Sequence, residues 1–152
     1  MRVTAKVDYA VRAMVELVGA EATSPRKAEH ISQAQDIPVR FLLNILGELK
    51  VAKLVESRRG ADGGYWLARP AAKVSVADVI RAVEGPLAAV HGVPPELLVY
   101  RPPAEPLRDV WLGARAALRR ILEHVSLADI ASGSLPPQVR DELDQPGAWE
   151  RR

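Results

Sequence analysis

The sequence predicts a mainly α-helical protein with a small β-hairpin wing: a winged helix-turn-helix followed by a long C-terminal dimerisation helix. Three observations lead to this fold class. Two helix patterns stand on either side of a very short break, a glycine-rich hairpin with two arginines follows them, and a later apolar repeat marks a longer helix. Helix, turn, helix and basic hairpin in this order are typical of a winged helix.

The first three helices are predicted from capping residues and apolar spacing. Thr4 can cap a helix over residues 4–20, and Ser24-Pro25 opens a shorter helix, in which Pro25 suits the first turn. After the break at 36–38, a third helix runs from Pro38 to about Lys50. The buried faces expected for the second and third helices consist of Ala28, Ile31, Ala34, Phe41, Leu42, Ile45, Leu46 and Leu49.

Two strands are expected after the third helix, at residues 54–57 and 65–68, because apolar and polar residues alternate in the first and aromatic residues mark the second. The loop between them, 58–64, contains three glycines, which permit positive φ, and begins with Arg58 and Arg59. This pattern predicts the wing.

The second half begins with a capping box at 75–78, which starts a fourth helix that ends at Gly85-Pro86. Six of the twelve prolines lie in residues 86–106, so this segment is an irregular connector. From Pro106 to about Val125 we expect the longest helix, about 30 Å long, which extends beyond a compact core and needs a second chain. Its coiled-coil-like seam consists of Leu107, Trp111, Ala114, Leu118, Ile121 and Val125.

These elements divide the chain into four parts. We expect a DNA-binding winged helix-turn-helix at 1–86, a proline-rich connector or sensory loop at 87–105, and dimerisation helices at 106–131, of which the last begins with a second capping box at Ser126. The remaining residues, 132–152, are expected to form a flexible tail.

Composition limits the classes of function. The 152 residues include no cysteine, which excludes disulfides, thiolate metal sites and cysteine nucleophiles. The first residues carry no apolar signal segment, and no run approaches the ~18 apolar residues of a membrane span, so we expect a cytoplasmic protein with no membrane partner. Residues 1–70 hold eleven Lys/Arg against eight Asp/Glu, a mildly basic balance that is compatible with a polyanionic partner.

The third helix and the wing carry the candidate DNA contacts. Arg40 can pair with guanine and Asn44 with adenine in a major groove, while Leu43 either touches a thymine methyl group or packs on the second helix. The wing arginines can enter a minor groove or grip phosphates, the alternative being a solvated charged hairpin. The complete set of predicted DNA-binding residues is Lys6, Tyr9, Pro38, Val39, Arg40, Leu43, Asn44, Arg58, Arg59 and Gly60.

No catalytic or metal site is predicted. His30, His91 and His124 are isolated in sequence and lack the spacing of metal ligands. The glycines at 60–64 lack the lysine and hydroxyl residues that end a phosphate loop. Trp111 is expected in the dimer core rather than as a ligand platform. Because no nucleophile–base pair or cofactor loop is present, we expect no enzymatic activity.

Several motifs resemble those of the bacterial winged-helix regulators of the IscR, NsrR and CymR family. The similarity covers about residues 1–131 and is most specific in the wing and in the Val-Glu-Gly-Pro segment. The residues that carry it lie at 9–14, 37–42, 54–65, 79–86 and 127–130. The resemblance implies a winged-helix dimer that regulates transcription.

The chain departs from the iron–sulfur members of that family. Those members place three cysteines in the connector, at positions corresponding to about 88–106, and this chain has none there. Asp8 stands where the nitric-oxide sensors use an aspartate as a fourth cluster ligand, but the thiolates are missing. The resemblance therefore implies a member without a cluster or other cofactor. Such members include the cysteine-metabolism repressor, which implies sulfur or cysteine metabolism as the regulated pathway.

The sequence thus predicts a homodimeric repressor that binds a palindrome-like double-stranded operator through residues 38–50 and 58–64. A small-molecule or protein effector would act through the connector and the long helix. The alternative is a winged-helix module that binds another protein instead of DNA.

Overall fold

The computed structural model describes residues 3–150 and confirms the predicted fold class. Two short 3₁₀ turns, Ala71–Lys73 and Pro95–Leu97, accompany seven helices and one antiparallel hairpin within these residues. In chain order the elements are α1 (Ala5–Glu16), α2 (Ala28–Gln35), α3 (Val39–Val51), β1 (Val55–Arg58), β2 (Gly64–Leu67), α4 (Val76–Glu84), α5 (Leu107–Leu122), α6 (Leu127–Ser132) and α7 (Pro137–Leu143).

The turn between α2 and α3 is as short as the sequence predicts. Asp36 ends α2 in the left-handed region, with φ of 49°, and its N–H donates to the Ser32 carbonyl. Aspartate tolerates this backbone conformation better than most residues. Pro38 is the N-cap of α3, so only Asp36, Ile37 and Pro38 separate the two helices.

Helix α2 starts later than predicted, at Ala28 instead of Ser24-Pro25. The reason is a backbone pairing to β2. The Arg26 N–H donates to the Tyr65 carbonyl at 2.9 Å, and the Tyr65 N–H donates to the Arg26 carbonyl at 2.7 Å. This extended segment joins the helix-turn-helix to the wing, which a helical Arg26 could not do.

The core lies where helices α1 to α4 meet. From α3 it receives Leu42, Ile45, Leu46 and Leu49, as predicted. Two predicted core residues are wrong: Phe41 is 63% exposed and Ala34 is exposed. Phe41 precedes Leu42 by one position, and the ~100° turn per helical residue directs its side chain past the edge of the buried face.

The hairpin pairs Val55 with Leu67 and Arg58 with Gly64, within one residue of the predicted strands. Two glycines make this packing possible. A Cβ on Gly63 would overlap the Arg58 carbonyl oxygen and lie 2.7 Å from the Arg59 carbonyl carbon. Gly64 has φ of 151°, and a Cβ there would lie 2.6 Å from the Arg26 carbonyl oxygen. The backbone pairing described above therefore depends on glycine at 64.

Helix α6 is docked on the winged-helix body. Both predicted capping boxes form, Ser75 with Asp78 and Ser126 with Asp129. The two segments pair through their backbones, with the Val76 N–H donating to the Val125 carbonyl at 2.9 Å. A hydrogen bond from the Ser126 side chain, followed by one from its backbone, holds the pKa of Asp129 below its usual range.

The long helix is shorter than predicted. It ends at Leu122 instead of Val125, and Val125 lies in the connection to α6, where it is 7% exposed. The backbone pairing with Val76 draws the chain out of the helix before Val125. The prediction that Val125 belongs to the helical seam is therefore wrong.

The tail predicted to be flexible contains α7, and an ion pair of 2.5 Å joins Arg120 on α5 to Glu142 on α7. The mobility of this tail stays a prediction. The connector is irregular, as expected, apart from its short 3₁₀ turn. Between residues 3 and 150, no helix combines the length and apolarity that crossing a bilayer requires.

The space around two glycines, one in the wing and one on α3, predicts opposite effects of substitution on stability. Gly63→Ala should lower the free energy of unfolding by about 1–3 kcal/mol, because a methyl group has no room against the Arg58 and Arg59 backbone. Gly47→Ala is the matched control: an added Cβ on this α3 glycine meets nothing within 4 Å. It should raise stability by about 0.5–1 kcal/mol. Urea unfolding followed by circular dichroism measures both changes, and equal stabilities of Gly63→Ala and wild type would contradict the wing packing.

Candidate nucleic-acid interface

The outer face of α3 exposes the residues expected to contact bases. Arg40 and Asn44 are exposed, Val39 is 40% exposed and Leu43 is 46% exposed. Within residues 3–150, the side chains of Arg40 and Asn44 make neither a hydrogen bond nor an ion pair. Pro38 occupies the N-cap position, so these residues belong to the first two turns of the helix. Their polar groups are available to a ligand.

A groove separates this helix from the wing. Leu43 and Lys50 line it from α3, Lys27 from the start of α2, and Arg58 and Arg59 from the wing. Glu29 contributes one carboxylate to the same groove. Four cationic side chains against one carboxylate favour an anionic ligand such as a phosphate backbone.

Sequence reasoning missed Lys27 and Lys50. Lys50 lies seven residues after Leu43, on the same side of α3, so helical spacing alone could have indicated it. Its ammonium group donates to the Ser57 hydroxyl of β1 at 2.6 Å. Lys27 enters the groove because of the backbone pairing between Arg26 and Tyr65, which no sequence pattern reveals.

The two wing arginines are placed differently. Arg58 donates to the Asp62 carbonyl at 2.9 Å and so closes its own loop. Arg59 is exposed, and its side chain has no bonded partner in the part of the chain that the structure describes. Gly60 follows at the tip with φ of 106°, which glycine adopts without strain. Arg59 is thus the better placed of the two to meet a ligand.

Neither Lys6 nor Tyr9 lines the groove. The Lys6 ammonium donates to the Val83 carbonyl at 2.7 Å and pairs with Glu48 at 2.8 Å, which joins α1, α3 and α4. Within α1, the Arg12 guanidinium lies 5.0 Å from the centroid of the Tyr9 ring. Their phosphate contacts stay a prediction, and Lys6 would have to leave Glu48 to make one.

The seam of α5 is the second candidate surface. Leu107, Trp111, Leu118 and Ile121 are half-buried and Ala114 is exposed. No residue of this helix is buried by its own chain.

The connector is attached to α5 by two side-chain contacts. The Trp111 Nε1 donates to the Tyr100 hydroxyl at 3.1 Å, and Arg115 pairs with Glu96 at 2.5 Å. A hydrogen bond from its own backbone N–H, followed by that from Arg115, holds the pKa of Glu96 below its usual range. A displacement of the connector would therefore break or shift these two contacts with α5.

Comparison with known proteins places the chain in a family. The model of the Rrf2 family, described as iron-dependent transcriptional regulators, matches residues 3–133. A protein of Mycobacterium tuberculosis described as an HTH-type transcriptional regulator, Rv1287, is 45% identical over 150 residues, which cover 99% of this chain and 93% of the relative. The HTH-type transcriptional regulator CymR of Bacillus subtilis is 32% identical over 132 residues, covering 87% and 91%.

Solved structures agree with this placement. CymR, the global cysteine regulator of B. subtilis, superposes with a TM-score of 0.72 at 29% identity and covers 88% of this chain and 98% of its own. IscR of T. potens superposes with a TM-score of 0.70 at 28% identity and covers 88% of each chain.

An iron–sulfur cluster held by thiolates does not fit this chain, although the family description mentions iron. The sequence has no cysteine. Asp8, which the resemblance aligns with a cluster ligand, is paired with Arg12 at 2.7 Å. Throughout residues 3–150, no three side chains of His, Asp or Glu gather as metal ligands would.

The family model, the relatives and the superposed structures agree with one another. The chain belongs to the Rrf2 family and is a DNA-binding transcriptional regulator with a winged helix.

Proposed function

We propose that this protein is a homodimeric repressor that binds a palindrome-like operator in double-stranded DNA. One observation carries the proposal: the exposed polar groups of Arg40 and Asn44 lie on the same helix face as Leu43, which lines the cationic groove. A duplex offers both surfaces at once, base edges in its major groove and phosphates along its rim.

In this proposal α3 enters the major groove by its N-terminal half, where Pro38 and Val39 meet the groove first. Arg40 pairs with a guanine and Asn44 with an adenine. The wing contacts the adjacent phosphates or minor groove through Arg59 and Gly60, while Arg58 mainly holds the loop in shape. Lys6 and Tyr9 would add phosphate contacts at the start of α1.

The dimer is proposed from α5. Its 16 residues span about 24 Å, and its apolar seam of Leu107, Trp111, Ala114, Leu118 and Ile121 is incompletely covered within the protomer. Pairing two such helices about a twofold axis covers both seams and presents two α3 helices to successive major grooves. A dimer bound over a promoter excludes the transcription machinery, so we infer repression in the cytoplasm.

The domain division proposed from the sequence follows the same logic. Residues 1–86 hold the DNA-binding surface, 106–131 the dimer surface, and 132–152 the tail. The connector, 87–105, is the proposed site of a small-molecule or protein effector, because its contacts with Trp111 and Arg115 join it to the dimer helix. Similarity to CymR, named a global cysteine regulator, supports sulfur or cysteine metabolism as the regulated pathway.

A protein-binding module is the second candidate. Two exposed apolar side chains on α3 favour it: Phe41 is 63% exposed and Val51 is 85% exposed. Such a module predicts no affinity for DNA that depends on salt, whereas the regulator predicts a steep dependence. To distinguish the two, duplexes are selected by the protein from a random pool and labelled. Their affinity for the protein is then measured at increasing salt concentrations.

The same titration tests the wing. Arg59→Ala should weaken binding and reduce the slope of log affinity against log salt by about 1, the value of one lost phosphate contact. Arg69→Ala is the matched control: Arg69 is also exposed and belongs to the same domain, but it lies beyond β2, away from the loop at 58–64. An unchanged slope for Arg59→Ala would contradict the wing contact, and a wild-type protein that binds no duplex would contradict the proposed function.

The dimer is tested by one charge on the seam. Leu118→Asp should convert the dimer to a monomer, because a carboxylate buried between two apolar helices loses its hydration without a partner. Ala116→Asp places the same charge on the opposite, exposed side of α5 and should leave the dimer intact. Sedimentation equilibrium gives the masses. A monomeric wild type, or a dimeric Leu118→Asp, would contradict the proposed seam.

A further inference from the structure

Leu43 is an apolar residue on a surface that otherwise suits a polar ligand. It is 46% exposed on the outer face of α3, three residues after Arg40 and directly before Asn44. It lines the cationic groove toward the wing, and together with Asn44 it also lines the neighbouring groove between α3 and α4. Leu43 therefore lies on the part of the exposed face that is turned toward the wing, and nearly half of its side chain stays accessible to a ligand.

A leucine that enters the major groove needs an apolar counterpart in the ligand. Polar base edges there would lose their water against Leu43 without gaining a hydrogen bond, which is unfavourable. Among the four unmodified bases, only thymine presents a methyl group there, at C5. Val39, four residues earlier on the same side of α3 and 40% exposed, extends the apolar strip by one helical turn.

Resting on the proposed function, we propose that Leu43 contacts a thymine C5-methyl group and so makes thymine a required base in each operator half-site. The thymine adjoins the base pairs contacted by Arg40 and Asn44, since Leu43 lies within one helical turn of both residues. Lys50, on the same side of α3, is bonded to Ser57 of β1 and so joins this side of the helix to the wing. Leu43 is therefore a residue that determines specificity rather than one that supplies general affinity.

The test replaces single thymines with deoxyuridine in duplexes selected by the wild-type dimer. This exchange removes only the methyl group and keeps every hydrogen-bonding edge. One position in each half-site should weaken binding about fourfold per methyl, which corresponds to about 0.8 kcal/mol for one buried carbon. With Leu43→Ala, affinity for the thymine duplex should fall by a similar factor, and the exchange at that position should have no further effect.

Val51→Ala is the matched control, because Val51 is an exposed apolar residue near the other end of α3. This variant should keep both wild-type affinity and full sensitivity to the exchange. Three results overturn the proposal: selected half-sites without thymine, thymine-to-uracil exchanges that never weaken binding, or a Leu43→Ala protein as sensitive as the wild type. Failure of the wild type to bind any duplex is a different outcome, which refutes the proposed function itself and the inference with it.

Discussion

The burial of one face of α3 determines which of its residues can meet a ligand. Leu42, Ile45, Leu46 and Leu49 are at most 2% exposed among α1, α2 and α4, and they fix the rotation of the helix about its axis. Because neighbouring positions differ by about 100°, a slip of one residue would turn Arg40 and Asn44 away from the ligand. Specific contact with bases is therefore a consequence of apolar packing on the other side of the helix.

A second set of bonds fixes the wing relative to that helix. Arg26 and Tyr65 pair through their backbones, Lys50 bonds to Ser57, and Arg58 closes the loop at Asp62. The first two bonds connect the wing to segments that carry Lys27 and Lys50, and the third lies within the wing. The backbone segments that bear the charges are thus fixed in the free protein, which lowers the entropy lost on binding.

Local signals in the sequence were sufficient for much of the fold. The capping boxes at Ser75 and Ser126, the glycine-rich loop and the break before α3 each follow from the chemistry of a few neighbouring residues. Arg40, Leu43 and Asn44 could be placed on the outer face of α3 for the same reason, since helical spacing determines which residues share a face.

Tertiary pairing accounts for what the sequence did not reveal. The later start of α2, with Lys27 in the groove, depends on Tyr65, which lies 39 positions after Arg26. The early end of α5 accompanies the backbone pairing of Val125 with Val76, whereas apolar spacing alone continues the seam to Val125. Phe41 is a separate case: apolar spacing predicts it in the core because spacing does not show where the edge of a buried face lies.

If two protomers present two α3 helices to one duplex, hydroxyl-radical footprinting on a selected duplex should detect both. We expect two protected patches on the same face of the duplex, related by twofold symmetry and separated by about one helical turn, 10–10.5 base pairs, or slightly more. A single protected patch at saturating protein, or two patches without twofold symmetry, would contradict it.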